Sequence, residues 1–153
     1  MANTIKLKNY INVFEEYKAH EALYPGHLLF LNSDNEVALH AVADGAVLPM
    51  FALEDESQGR GIDAVYTAAD PVQVWIPTRG DIVNAILKDG ETIVIGDLLT
   101  SAAGGELQKY DVAASAGVYA VPNAIVGVAV TELNLGSSST TTLPAARIQV
   151  RII

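Results

Sequence analysis

From residue 24 to residue 108 the chain alternates short apolar runs with Asp, Asn and Gly. Residues 27–31 are apolar, and Ser33-Asp34-Asn35 then supplies turn residues. Residues 36–42 alternate, with Val37, Leu39 and Ala41 on one side, as a half-buried strand does. Asp44-Gly45 marks a second turn, and residues 47–53 predict a third strand whose Pro49 suits an edge or a bulge. A polar, Gly-bearing loop covers 54–61. Residues 72–76 alternate around Trp75, which reads as core. Residues 81–87 and 91–95 flank Lys88-Asp89-Gly90, a strong hairpin signal, and Leu98-Leu99 and Leu107 flank Gly104-Gly105, a second one. Residues 125–130 and 145–153 are the last strands, separated by the polar loop 137–142, and the Ala-rich stretch 111–117 reads as a loop or one helical turn. Turns recur about every ten residues between short strands, the pattern of a barrel or sandwich.

The first 22 residues differ. Ile5 and Leu7 alternate with Lys6 and Lys8, which fits a short strand or an extended arm. Tyr10, Phe14 and Tyr17 are spaced for one helical face, so residues 12–19 are open to a short helix. Pro25-Gly26 then punctuates the chain. The expected organisation is therefore an N-terminal arm over 1–22, extended or partly helical, and a single β-barrel domain over 23–153.

Composition sharpens this picture. The 153 residues suffice for one core without staples. The absence of Cys removes disulfides, zinc-thiolate sites and thiol chemistry together. Half the residues are hydrophobic, yet no apolar run approaches the roughly 18 residues of a membrane span. No apolar signal-peptide core precedes the first acids. The expectation is a soluble chain, not bound to membrane, with apolar surface left for another subunit. Net charge is -9, and Asp34, Glu36, Asp44, Glu54, Asp55 and Glu56 lie in a stretch with no Lys or Arg before Gly59. Such a surface repels phosphate, which argues against direct nucleic-acid binding.

The search for chemistry is lean. His20, His27 and His40 lack the spacing that puts two rings on one helix face, and they read as solvated or half-buried residues. No Gly-x-Ser-x-Gly elbow and no Gly-rich phosphate loop is present. Asp55 and Glu56 are the carboxylates best placed for a hard cation, although loop acids are usually just solvated. Arg79-Gly80-Asp81 spells an integrin-read tripeptide. Its plainer reading is a turn in which Gly takes positive φ and Asp caps. Gly61-Ile62-Asp63-Ala64-Val65-Tyr66 resembles the uridine-binding hairpin of trimeric dUTPases but is one residue short. The C-terminal phosphate clamp of that family is missing, so a triphosphate could not be positioned. No catalytic residue, cofactor site or metal site is expected.

An ordered series of motifs carries a broader resemblance. It runs through Pro25-Gly26-His27-Leu28-Leu29-Phe30, then Val47-Leu48-Pro49-Met50-Phe51-Ala52-Leu53-Glu54-Asp55. Asp70-Pro71-Val72-Gln73-Val74 and Arg79-Gly80-Asp81-Ile82-Val83-Asn84-Ala85-Ile86-Leu87 follow. The series continues with Ile95-Gly96-Asp97-Leu98-Leu99, Gly105-Glu106-Leu107-Gln108, Ile125-Val126-Gly127-Val128-Ala129-Val130 and Arg147-Ile148-Gln149-Val150. Over about residues 24–153 this resembles the capsid decoration, or cement, proteins of tailed bacteriophages. The resemblance implies an all-β fold, a small β-barrel or β-tulip-like sandwich with an extended N-terminal arm. It also implies a homotrimer on the outer surface of the head that clamps adjacent copies of the major capsid protein at three-fold or quasi-three-fold positions. Ile5, Lys6, Leu7 and Lys8 are the candidate capsid contacts, as a segment able to add to a neighbour's sheet edge. The other class weighed is a β-barrel binding module for a host surface or carbohydrate. Sugar sites usually want exposed aromatics, and the only Trp here reads as core.

Overall fold

The computed structural model describes residues 3–8, 13–111, 124–136 and 146–153. Tyr10, residues 112–117 of the Ala-rich stretch and the polar loop 137–142 lie outside the described residues. The described chain is all-β. Its strands are β1 (Lys6–Lys8), β2 (Phe14–Ala19), β3 (Leu29–Leu31), β4 (Glu36–Leu39), β5 (Phe51–Ala52), β6 (Pro71–Trp75) and β7 (Ile82–Ile86). They continue with β8 (Thr92–Ile93), β9 (Leu98–Ser101), β10 (Leu107–Lys109), β11 (Ile125–Ala129), β12 (Leu133–Asn134) and β13 (Arg147–Ile152). A single 3-10 turn covers Glu56–Gln58.

Two sheets make the body. One has six strands in the order β1-β7-β13-β11-β9-β10, the other five in the order β3-β4-β2-β6-β5, and β8 pairs with β12 apart from both. Each larger sheet curls on itself. In the five-stranded sheet Leu28 bridges Phe51, the Leu29 N–H donates to the Met50 carbonyl at 2.8 Å and the Ala52 N–H to that of His27 at 3.2 Å. The edge strands β3 and β5 therefore meet. In the six-stranded sheet Leu87 bridges Leu107, and the Lys88 N–H reaches the Leu107 carbonyl at 2.8 Å. This brings the end of β7 against β10 and leaves β1 as the outlying edge.

The apolar clusters follow this curling. Leu23, Leu29, Val37, Ala52, Tyr66, Val72 and Val74 share one core on the five-stranded sheet. Leu28, Phe51 and Trp75 from that sheet's other side join Val83, Leu99, Leu107, Val126, Ile148 and Val150 of the six-stranded sheet in a second core. Alternation explains the split: neighbouring residues such as Val74 and Trp75 point to opposite faces. The layers are sandwich-like, as the turn spacing predicts.

Several local expectations need correction. Residues 14–19, open to a helix from the spacing of Phe14 and Tyr17, are strand β2. They pair antiparallel with β6 from Phe14↔Trp75 to Lys18↔Pro71, and parallel with β4 at Lys18↔Glu36 and Ala19↔Val37. Backbone partners on both sides outweigh a weak local pattern. The arm over 1–22 is thus two strands built into the two sheets wherever it is described. The Lys88-Asp89-Gly90 turn exists, with Gly90 at φ +85°, but its flanks do not pair. β7 pairs with β1 and β13, whereas β8 pairs with β12. The strand expected over 47–53 shrinks to Phe51–Ala52, beyond Pro49. The Gly104-Gly105 hairpin is present, pairing β9 with β10 from Leu107↔Ser101 to Lys109↔Leu99. Ser33-Asp34-Asn35 likewise joins β3 and β4 antiparallel.

Candidate interaction surfaces

The four residues singled out near the N-terminus are divided by the fold. Ile5 is fully buried in the core of the six-stranded sheet. Its carbonyl accepts the Asn84 N–H at 2.8 Å, and its N–H donates to Glu54 Oε2 at 3.1 Å. The Thr4 hydroxyl also donates to Glu54. Lys6 is half-buried, its ammonium 4.4 Å from the centre of the Phe14 ring, which a cation–π attraction favours. Leu7 is half-buried and Lys8 exposed. The strand lies at the end of its sheet, paired with β7 on one side. It is short, carries two Lys and has an irregular register between Lys6 and Lys8. Those are devices by which proteins discourage edge-to-edge pairing. Beside it a groove of about 330 Å³ is lined by Thr4, Lys6, Phe14, Glu54, Glu56 and Gln73 among others.

The histidines and several acids make contacts within the protein. His40 Nδ1 lies 2.7 Å from the Ser101 hydroxyl, a pair 61 positions apart that no local sequence motif announces. It has the contact of a base with a nucleophile. However, Ser101 is fully buried on β9, and the other His40 nitrogen faces the Ala46 carbonyl at 3.4 Å in place of an orienting carboxylate. His20 meets Glu36 at 3.0 Å on the surface, which raises its pKa. His27 is buried; its Nδ1 accepts the Tyr24 N–H at 3.0 Å, and burial, followed by the nearby Arg147 charge, lowers its pKa to about 4. Among the described residues no group of three or more His, Asp or Glu could hold a metal ion. The buried Asp55 accepts the Ser57 hydroxyl at 2.7 Å.

Two decoys are resolved by geometry. Asp81 of the Arg-Gly-Asp tripeptide is fully buried and accepts the Thr78 N–H at 2.8 Å, while Gly80 takes φ +97°. It is the capped turn, and its carboxylate is not offered to a partner. In the dUTPase-like segment the Tyr66 hydroxyl donates to the Leu53 carbonyl at 2.7 Å, and burial raises its pKa to about 12. Asp63 pairs with Arg147 at 3.0 Å. Asp63 and Tyr66 of this segment thus each have a partner within the protein.

Arg147 forms a junction that sequence reading misses. Its side chain is 2% exposed. It donates to the Pro25 carbonyl from Nη2 at 3.0 Å and from Nε at 3.3 Å, to the Ile62 carbonyl at 2.6 Å and to Asp63 at 3.0 Å. Burial pulls its pKa down, and Asp63 works against that shift. The residue thereby ties β13 to the Pro25-Gly26 turn and to the 61–63 loop.

One exposed surface carries two large apolar side chains. Residues 41–49 loop from β4 towards β5, with Val42 60% and Leu48 67% exposed. Ala46, Val47, Leu48 and Pro49 face Ile125 and Ile153 across a groove of about 490 Å³. The loop's single acid, Asp44, accepts the Gln108 side-chain N–H at 3.3 Å. On the flank, Phe30 stands edge-on to His40, ring centres 6.4 Å apart.

This two-sheet all-β arrangement has a counterpart among solved structures. The chain is similar to a crystal structure of the head fiber gp8.5 N base in bacteriophage phi29. The TM-score is 0.57 at 18% identity, covering 94% of this chain and 95% of that one. At that identity the likeness speaks for the fold. No family model matches the chain, and no curated protein does.

Proposed function

We propose that this chain is a structural protein of a tailed-phage virion, seated on the outer surface of the head. There it clamps adjacent major capsid subunits as a homotrimer and stabilises the mature lattice without catalysing a reaction. The observation that carries the reading is the end-to-end fold likeness to a head fiber base, at 94% and 95% coverage. The ordered motifs that resemble decoration proteins agree with it. The burial of Ser101 and Asp81 and the internal partners of Asp63 and Tyr66 support the non-catalytic part of the reading. A net charge of -9 suits an outer position, away from packaged nucleic acid.

Stabilisation by such a protein is mass action. A ligand that binds only the mature lattice contributes about 2.7 kcal/mol per site when free at 100 times its dissociation constant. Heads lacking the protein are expected to assemble and to burst at lower temperature, and adding purified protein is expected to restore the higher value. The likeness to a fiber base favours a second reading, in which the protein attaches to the head without tightening it. That reading predicts occupancy on the head with an unchanged bursting temperature. Failure of the protein to sediment with heads would contradict both.

A further inference from the structure

We propose that the outer face of the six-stranded sheet, at the end where Lys8, Ile82 and Arg151 stand in one row, docks on a carboxylate-bearing protein surface. This rests on the reading above, in which that surface belongs to the capsid lattice, and names the side of the chain that meets it. Alternation sets the face. Val83, Val150 and Ile152 point into the core, so Ile82 and Arg151 point away from it. Register sets the row: Lys8 lies opposite Ile82, Ile82 opposite Arg151, Arg151 opposite Val128 and Val128 opposite Leu98. None of the five is buried, and Lys8 and Arg151 are exposed. The other end of the same face is closed. There Ile86 is fully buried, and Arg147 is tied to the Pro25-Gly26 turn and the 61–63 loop.

Charge identifies the occupant. The turn before Ile82 carries the exposed Arg79, and its Gly80 N–H donates to the Ile152 carbonyl at 2.9 Å, beside Arg151. Lys8, Arg79 and Arg151 are three of only nine Lys and Arg in a chain of net charge -9, so this end is locally positive on an acidic molecule. Arg79 and Arg151 pair with no acid among the described residues. Of the acids that adjoin the row, Asp81 is fully buried and accepts the Thr78 N–H at 2.8 Å. Asp97, next to Leu98, pairs with Lys109 Nζ at 2.9 Å. Asp111 is exposed past β10, where the Tyr110 N–H reaches the Leu98 carbonyl at 2.8 Å. The positive end is thereby confined to β1, β7, β13 and the 78–81 turn. Lys8 and Arg151 flank Ile82 on strands about 10 Å apart, which gives an apolar centre between two cations. Protein side chains can match both features. Duplex nucleic acid offers phosphate alone, and it would run past three cations onto the chain's excess of acids.

The test is cosedimentation with phage heads prepared without this protein, titrated at low and high salt. It compares the natural chain, Arg151→Glu, Arg79→Glu and the control Lys88→Glu. Lys88 is exposed past the opposite end of β7, and its variant makes the same change of charge. All three positions are exposed, so each variant is expected to fold, with circular dichroism and thermal melting as the check. At low salt the two Arg variants are each expected to weaken binding about tenfold and Lys88→Glu less than about twofold. Binding of the natural chain is expected to weaken as salt rises, because added ions screen exposed charges. Binding unchanged by both Arg variants, an equal loss in Lys88→Glu, or natural-chain binding indifferent to salt would overturn the surface and leave the head-binding reading standing. So would Arg variants that keep head binding but lose a self-associated state in sedimentation velocity, which would make the face a contact between copies. Retention of duplex DNA by the natural chain, lost in Arg151→Glu, would make it a phosphate site and overturn it too. A natural chain that does not sediment with heads would overturn the surface and the reading together.

Discussion

Replacing Arg147 with alanine should destabilise the fold more than any charge change on the surface. The guanidinium is almost completely buried and donates to two backbone carbonyls, Pro25 and Ile62, as well as to Asp63. Removing it leaves those carbonyls without this donor and opens a gap beside Gly26, whose added Cβ would lie 3.2 Å from Arg147 Nε. A buried carbonyl left without its donor costs about 1–3 kcal/mol, and with two of them we expect roughly 3–5 kcal/mol here. For a domain of this size, each kcal/mol corresponds to roughly 2–4 °C, which predicts a Tm lower by roughly 6–20 °C. Trp75 is the single Trp and is fully buried, so urea unfolding can be followed by its fluorescence. Arg147→Lys should recover only part of the loss, because one ammonium cannot reproduce the planar fork. Asp63 is 64% exposed, and Asp63→Ala should cost less than Arg147→Ala, since water replaces that carboxylate. If Arg147→Ala cost less than about 1 kcal/mol, the size of an ordinary surface substitution, the junction would not hold the fold. Equal losses for the two alanine variants would show that the ion pair, and not the carbonyl web, carries the effect.

Further outcomes follow from other sites. His27 stays neutral in the folded protein down to about pH 4, whereas its ordinary pKa is 6.5. Its contribution is therefore complete above pH 6.5 and is lost as pH falls from there towards 4, up to roughly 3 kcal/mol. His27→Gln should flatten this part of the stability profile, and an unchanged slope between those pH values would refute the assignment. Gly127→Ala would drive a methyl into the Arg151 carbonyl and to within 2.6 Å of Val150 Cγ1. A loss of about 1–3 kcal/mol or more in urea titration is expected, and a neutral effect would mean that β11 and β13 are spaced wider than described. Deleting residues 1–8 removes Ile5 from the core and the strand that lies against β7. It should lower the unfolding midpoint as well as head binding; a body with unchanged stability would show that β1 acts as a detachable arm.

Legibility in the sequence tracks how local each feature is. The Ser33-Asp34-Asn35 turn and the Gly104-Gly105 hairpin are legible because neighbouring residues both form the turn and pair across it. Lys88-Asp89-Gly90 carries the same local signal and misleads, because β7 finds its partners in β1 and β13, far away in sequence. Phe14 and Tyr17 suggest a helical face only until β6 and β4 are known to flank them. Trp75 is legible as core from its alternation, and the fold buries it completely. The Arg147 junction is not legible at all. Its partners lie 122 positions away at Pro25 and 84 at Asp63, and an Arg alternating with Ile and Val reads like any outward-facing strand cation. The exposure of Leu48 was hidden for the opposite reason: residues 47–53 look like one strand with an edge or bulge at Pro49, and the shortening of that strand to Phe51–Ala52 leaves Leu48 in solvent.

The most direct test of the account is cryo-electron microscopy of phage heads prepared without this protein, imaged before and after incubation with the purified chain. The account predicts added density on the outer surface at three-fold or quasi-three-fold positions, bridging neighbouring capsid subunits, into which the two-sheet body fits. Heads that remain bare at saturating protein would contradict it.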